Sequence, residues 1–197
     1  MPRTASNPVV LGTPAPDIRL PDATGAVHAL ADHAGAPALL VAFLSNRCPF
    51  VLGISEAFAA LARRNASQGL QVIAINSNDA VAHPEETLER NAAEAEAQGY
   101  AFPYLKDEDQ SVARAYAAAC TPDLYLFDAD RRLVYHGQFD GFRPGNDVPP
   151  TGEDLQRAID ALLAGEPPLA RQVPSIGCNI KWRAAPDAAA PHSAAAA

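Results

Sequence analysis

Apolar residues recur along this chain in two different rhythms. Ala38-Leu39-Leu40-Val41-Ala42-Phe43-Leu44 is an unbroken apolar run, and Leu70-Gln71-Val72-Ile73-Ala74-Ile75 nearly repeats it. Runs of this length fit strands buried on both faces, as in a parallel sheet. Between them Val51, Ile54, Phe58 and Leu61 recur at spacings of three and four, which predicts an amphipathic helix over 49–64. Pro49 fits its first turn, where no amide hydrogen is required. Two strands joined through a full helix form a βαβ unit with parallel strands.

The flanking pattern is weaker. Residues 1–37 read as irregular, with a small hairpin from Ile18–Leu20 and Val27–Leu30 about the Asp22–Gly25 turn. Residues 84–98 predict an acidic surface helix from Pro84 to Gly99, with its carboxylates from Glu85 to Glu96 on a solvated face. Phe102–Leu105 predicts a short strand, and Asp109–Ala118 a short helix capped by Asp109. Leu124–Phe127 and Leu133–His136 flank Asp128-Ala129-Asp130-Arg131 as a hairpin. Thr151-Gly152-Glu153-Asp154 has the form of a capping box, opening a helix with Leu155, Ile159 and Leu162 on one face and Gly165 at its end. Ser175–Trp182 follows three prolines. It holds the only Trp, so it is expected to dock on the domain. From Ala184 onward there is nothing to bury, and a disordered tail is expected over 184–197, behind one domain over 1–183.

The balance of charge narrows the function. Of 197 residues, 15 are Lys or Arg and 23 are Asp or Glu, a net charge of −8, which argues against a nucleic-acid partner. No apolar run approaches the length of a membrane span, and no apolar stretch of signal-peptide length follows the N-terminal Met-Pro-Arg-Thr-Ala-Ser-Asn-Pro, so a cytoplasmic, reducing compartment is expected. Three cysteines do not make a disulfide scaffold. The five histidines are scattered without metal-ligand spacing, and no phosphate-cradling glycine loop is present.

Cys48 falls between the first buried strand and its helix. A thiol there meets unsatisfied amides and the positive end of the helix dipole, both of which favour the thiolate. Because Pro49 has no amide hydrogen, the amides would come from Phe50 or Val51, and Arg47 adds a neighbouring cation. The alternative is a small buried hydrophobe.

Ser45-Asn46-Arg47-Cys48-Pro49-Phe50 at the strand–helix junction and Thr121-Pro122 before a later strand resemble the thioredoxin fold. With Ala74–Asp79, Phe102–Leu105, Cys120–Asp123, Arg143–Asp147 and Pro174–Cys178, the chain resembles the peroxiredoxin-like redoxins of the alkyl hydroperoxide reductase and thiol-specific antioxidant group over about residues 8–183. The resemblance implies an α/β fold, with a central mixed sheet flanked by helices, an N-terminal extension and a C-terminal segment. Where thioredoxins carry the first Cys of Cys-x-x-Cys, this chain has Ser45. Ser45-Asn46-Arg47-Cys48 instead matches the peroxiredoxin pattern of Thr or Ser, two spacers, then the peroxide-attacking Cys. Two features of that pattern are missing. Val41 stands where it has Pro, and Thr121-Pro122-Asp123 stands where its Arg is expected, with Arg47, Arg114 or Arg143 as spatial substitutes. Pro122 matches the cis-proline that faces the active Cys and exposes the preceding carbonyl and amide of Thr121 to an extended substrate.

The resemblance thus implies a thiol-based oxidoreductase. In it Cys48 attacks a peroxide or disulfide, Ser45 orients the oxidant, Thr121, Pro122 and Arg47 bind it, and Cys178 or Cys120 resolves the product. No cofactor is implied beyond an external thiol reductant, and relatives commonly dimerise. The alternatives are a thiol–disulfide exchange protein and a thioredoxin-fold binding module with a decayed redox site.

Overall fold

A computed structural model of the chain describes residues 3–184. The tail expected over 184–197 lies, beyond Ala184, outside the described residues. Five strands form the main sheet: β4 (Ala38–Phe43), β5 (Leu70–Asn76), β6 (Tyr104–Lys106), β8 (Asp123–Phe127) and β9 (Leu133–His136), in the order β6-β5-β4-β8-β9. β4, β5 and β6 run parallel, whereas β8 and β9 are antiparallel. A hairpin of β2 (Arg19–Pro21) and β3 (Val27–Ala29) stands apart. A third sheet joins the two ends of the described chain: β1 (Arg3–Ala5) pairs with β10 (Ile176–Asn179), which pairs with β7 (Cys120–Thr121).

The continuous apolar run of β4 has a direct cause. Successive side chains alternate across the sheet, so Leu40 and Ala42 join one core with Phe58, Leu61 and Ile159, while Leu39, Val41 and Phe43 join the other with Ile73, Tyr116 and Tyr125. All six residues of β4 are buried. Helices α1 (Pro49–Leu52), α2 (Ser55–Ala66) and α5 (Glu153–Leu163) contribute to the first core, α4 (Ser111–Ala115) to the second, and α3 (Leu88–Gln98) packs beside β6.

Arg3–Ala5, in the stretch read as irregular, forms β1 by pairing with β10, and the four expected helices each differ from the sequence expectation. The helix expected over 49–64 breaks at Gly53–Ile54, where Ile54 N–H bonds to Val51 O at 3.0 Å in a tightened turn. The Phe142 ring packs where a Gly53 side chain would be, and Ser55 Oγ donates to Val51 O at 2.9 Å. The acidic helix divides into a short turn at Pro84–Glu86 and α3, because Thr87 Oγ1 caps Arg90 N–H and starts the helix afresh. α4 is shorter than expected, and buried Asp107, rather than Asp109 alone, accepts its first amides at Val112 and Ala113. No capping box opens α5. Gly152 is its N-cap, and Asp140 Oδ2 accepts the amides of Thr151 and Gly152, both at 2.7 Å.

Candidate active site

The chain leaves β4 and turns at Ser45. Its Oγ accepts the amides of Cys48 at 3.2 Å and Arg47 at 3.3 Å. This closed turn fixes Cys48 as the N-cap of α1, with Pro49 next. The Val51 and Leu52 amides bond to the carbonyl of Cys48, not to its sulfur. The Cys48 thiol instead donates across the site to Thr121 O at 3.0 Å. Thr121 precedes a cis peptide bond to Pro122.

The same point receives Cys178. In the antiparallel β10–β7 pair Cys178 lies opposite Thr121, so the two elements bring Cys48, Thr121 and Cys178 together. Burial first, then a hydrogen bond between the Cys178 and Cys48 side chains and the charge on Cys48, push the Cys178 thiol up to about 12, against a smaller opposing effect of the Lys181 ammonium. Cys120 is fully buried, points toward Pro122 O at 3.6 Å, and is pushed upward by burial and then by the charge of Asp123. None of the three cysteines forms a disulfide.

A cavity of about 180 Å³ opens over these groups, lined among others by Ser45, Cys48, Glu86, Thr121, Cys178 and Lys181, with Arg47 at its wall. Cys120 is not among its lining residues. The cavity's far side holds a residue that the sequence reading placed on a solvated face. Glu86 is only 4% exposed. Its carboxylate accepts Ser45 Oγ–H at 2.7 Å, the Asn46 amide at 3.0 Å and Asn76 Nδ2 at 2.7 Å. Asn91 Oδ1 accepts Nδ2 of both Asn46 and Asn76, at 2.9 and 2.8 Å. Ser45 is therefore held between Glu86 and the amide of Cys48. The sequence sign of this network is Asn76, polar yet at the end of the apolar run Val72–Ile75.

The basic residues considered as substitutes for the missing Arg are engaged elsewhere. Arg47 bonds to Glu85 at 2.8 Å and its side chain is 67% exposed. Arg114 stacks over Trp182 at 4.5 Å. Arg143 bonds to the carbonyl of Asp140 at 2.9 Å. At the expected Arg position, buried Asp123 bonds to His136 Nε2 at 2.9 Å and accepts the Tyr125 hydroxyl at 3.3 Å. Lys181 is a cation that the sequence reading overlooked. It lines the cavity, its Nζ bonded to Asn179 O and Oδ1 at 2.9 and 2.8 Å. Among the described residues no cluster of three or more His, Cys, Asp or Glu side chains is arranged to hold a metal ion.

A parallel β4–α–β5 unit followed by an antiparallel β8–β9 hairpin behind a cis-proline defines a thioredoxin-like redoxin. The chain belongs to the AhpC/TSA family, whose model matches residues 11–136. Among solved structures, a hypothetical protein from Sinorhizobium meliloti 1021 is 63% identical, with a TM-score of 0.91 over 92% of this chain and 100% of that one. An uncharacterized conserved protein from Geobacillus kaustophilus is 46% identical, with a TM-score of 0.91 over 94% of this chain and 99% of that one. Peroxidoxin BcpB from Mycobacterium tuberculosis shares the fold at 18% identity, with a TM-score of 0.57 over 78% of this chain and 94% of that one. No curated protein matches. Among the described residues no helix is long and apolar enough to cross a membrane.

Proposed function

We propose that this chain is a thiol oxidoreductase whose working couple is Cys48 and Cys178. The observation that carries the reading is the meeting of these two cysteines at one cavity, Cys48 bonded to the Thr121 carbonyl and Cys178 opposite Thr121 in the β10–β7 ladder, with Lys181 on the same lining. Cys48, once deprotonated, attacks a hydroperoxide. An S–O bond forms, the O–O bond breaks, and the leaving oxygen takes a proton and departs as water or an alcohol. Cys48 is then a sulfenic acid. The Cys178 sulfur attacks it, the S–S bond forms, and water leaves. Two external thiols, which leave as their own disulfide, supply the two electrons that restore both cysteines. A disulfide oxidant would follow the same course through a mixed disulfide.

Ser45, Thr121 and Glu86 position the attacking group in this scheme. Ser45 fixes the Cys48 amide, Thr121 O holds the resting thiol, and Glu86 holds Ser45. Pro122 sets the direction of the Thr121 carbonyl, Arg47 forms part of the cavity wall, and Cys120 is assigned a packing role. Residues 1–183 act as one redoxin unit in this reading, in a reducing, cytoplasmic compartment that keeps the three thiols reduced.

The test is peptide mapping of reduced protein given one equivalent of hydrogen peroxide beside a sulfenic-acid trap. The expected products are a Cys48 adduct and a Cys48–Cys178 disulfide, neither of which forms in Cys48→Ser. A Cys48 that remains a thiol for many minutes under these conditions overturns the peroxide reaction.

A further inference from the structure

We infer that β10 is a built-in strand occupying the edge that an extended substrate would need, and that it restricts Cys48 to small hydroperoxides and low-molecular-weight thiols. The inference rests on the Cys48 reading above and adds the substrate class. A peptide adds to a sheet through the unpaired N–H and C=O groups of an edge strand. At β7 these groups are already taken. Thr121 and Cys120 pair with Cys178 and Asn179, and Ile180 N–H continues the ladder to Ala119 O at 3.1 Å. The outer edge of β10 is covered in turn by β1, through Arg3, Thr4 and Ala5 opposite Cys178, Gly177 and Ile176.

The fit of β10 depends on one missing side chain. A Cβ on Gly177 would collide with the Thr121 carbonyl, 2.6 Å from its carbon, so β10 lies flat against the residues that flank the cis bond. Both ends of the segment are fastened. Ser175 Oγ donates to Gly137 O at 2.8 Å, and Lys181 N–H donates to Asn78 Oδ1 at 2.8 Å while Lys181 O accepts Asp79 N–H at 2.9 Å. The remaining opening is the cavity of about 180 Å³, smaller than the roughly 300–1,000 Å³ of pockets that bury drug-sized ligands. It suits a hydroperoxide of a few heavy atoms. Two small thiols can reduce the Cys48–Cys178 disulfide in sequence. The first forms a mixed disulfide and releases one cysteine; the second releases the other, and the two thiols leave as their own disulfide.

The experiment compares alkylation of Cys48 by N-ethylmaleimide and by the same maleimide carried on a polyethylene glycol chain, read by peptide mapping of reduced full-length protein. Native protein should favour the small reagent over the large one at least about tenfold more than the unfolded chain does, since one or two strand hydrogen bonds already shift an opening equilibrium that far. Gly177→Ala should lose most of this discrimination. Ser175→Ala, which removes only a fastening, should lose a smaller part and serves if Gly177→Ala does not fold. Discrimination equal to that of the unfolded chain, discrimination unchanged in both variants, or a Cys48 inert to N-ethylmaleimide itself would each overturn the inference. Alkylation uses no peroxide, so failure of the peroxidase reading and failure of this one are separately visible.

Discussion

The two cysteines of the couple stand on segments held by different forces. Cys48 follows β4, whose six buried residues are packed on both faces, and burying each Leu, Val or Phe there contributes about 1.5–3 kcal/mol. Cys178 sits in β10, four residues long, held by ladders to two short strands and by polar fastenings at its ends, each hydrogen bond contributing about 0.5–1.5 kcal/mol net. One thiol is thus fixed behind a strand packed on both faces, and its partner is carried on a short strand whose hold adds ladders and polar fastenings to the packing of Cys178 and Ile180. Attack and resolution make different demands: the first needs a fixed sulfur, the second a sulfur that can move to make and release a bond.

The largest effects separate the two roles. Cys48→Ser should abolish oxidant turnover, by at least about a thousandfold, as expected when the reacting group itself is removed. Cys178→Ser should leave the first step intact and trap Cys48 as a sulfenic acid or an external mixed disulfide, measured by stopped-flow thiol loss and intact mass. Equal loss of the first step in both variants would erase the distinction.

The same division governs what could be read from the sequence. The βαβ unit was legible because its apolar periodicity is local, and Ser45-Asn46-Arg47-Cys48 could be compared residue by residue with a known pattern. Docking of Ser175–Trp182 was expected from its apolar character and its Trp; the segment docks through β10, while Trp182 itself stays 39% exposed under Arg114. The register of β10 was not legible, because the pairing of Cys178 with Thr121 is a long-range backbone relation with no local signature. Glu86 was misplaced because a carboxylate in an acidic stretch resembles a solvated face, and only the inward turn at Pro84–Glu86 sets it under Ser45. The break at Gly53 was hidden too, since the Phe142 ring that occupies its space comes from far along the chain.

Glu86 provides the next largest effect and tests the fixed half. Glu86→Ala leaves the Ser45 hydroxyl, the Asn46 amide and Asn76 Nδ2 without their shared acceptor. Each unsatisfied buried donor costs about 1–3 kcal/mol, so a destabilisation of about 3–5 kcal/mol is expected from urea unfolding. Glu86→Gln keeps an acceptor oxygen and should cost less than half as much. In that better-folded variant Cys48 alkylation by N-ethylmaleimide should change rate, because Ser45 is no longer held as before. A Gln variant with both stability and Cys48 reactivity unchanged would remove Glu86 from the site.

Alkaline pH probes the other half. Cys178 is pushed up from an ordinary 9.0 to about 12 in the folded chain. Between these values the unfolded chain has lost the proton and the folded chain keeps it, so stability falls as pH rises, by at most about 1.4 kcal/mol per pH unit from this thiol. Below about pH 9 its contribution is fully present. The informative window is pH 9–10, before the buried tyrosines, whose ordinary value is 10.0, add a fall of the same sign. Cys120 is shifted in the same direction and contributes alongside. Replacing Cys178 with Ala, or oxidising it to the Cys48 disulfide, should flatten part of the slope. An unchanged slope would mean that β10 does not hold Cys178 away from water.

The smallest effects distinguish two cations at one cavity, one from each half. The Arg47 side chain is mostly exposed and held by Glu85, where water and salt screen its charge. Arg47→Ala should therefore alter the rate of Cys48 oxidation by no more than about threefold, with the remaining effect lost in high salt. Lys181 follows β10, lines the same cavity and opposes the upward shift of Cys178. Lys181→Ala should slow disulfide formation more than sulfenic acid formation, because its charge acts on the resolving thiol. The reverse ranking, with Arg47→Ala the larger and acting on the first step, would mean that Arg47 leaves Glu85 when oxidant arrives and takes the place of the missing arginine. The attacking half would then carry its own mobile cation, and the division between a core-held and a ladder-held half would fail at the point where the chemistry begins.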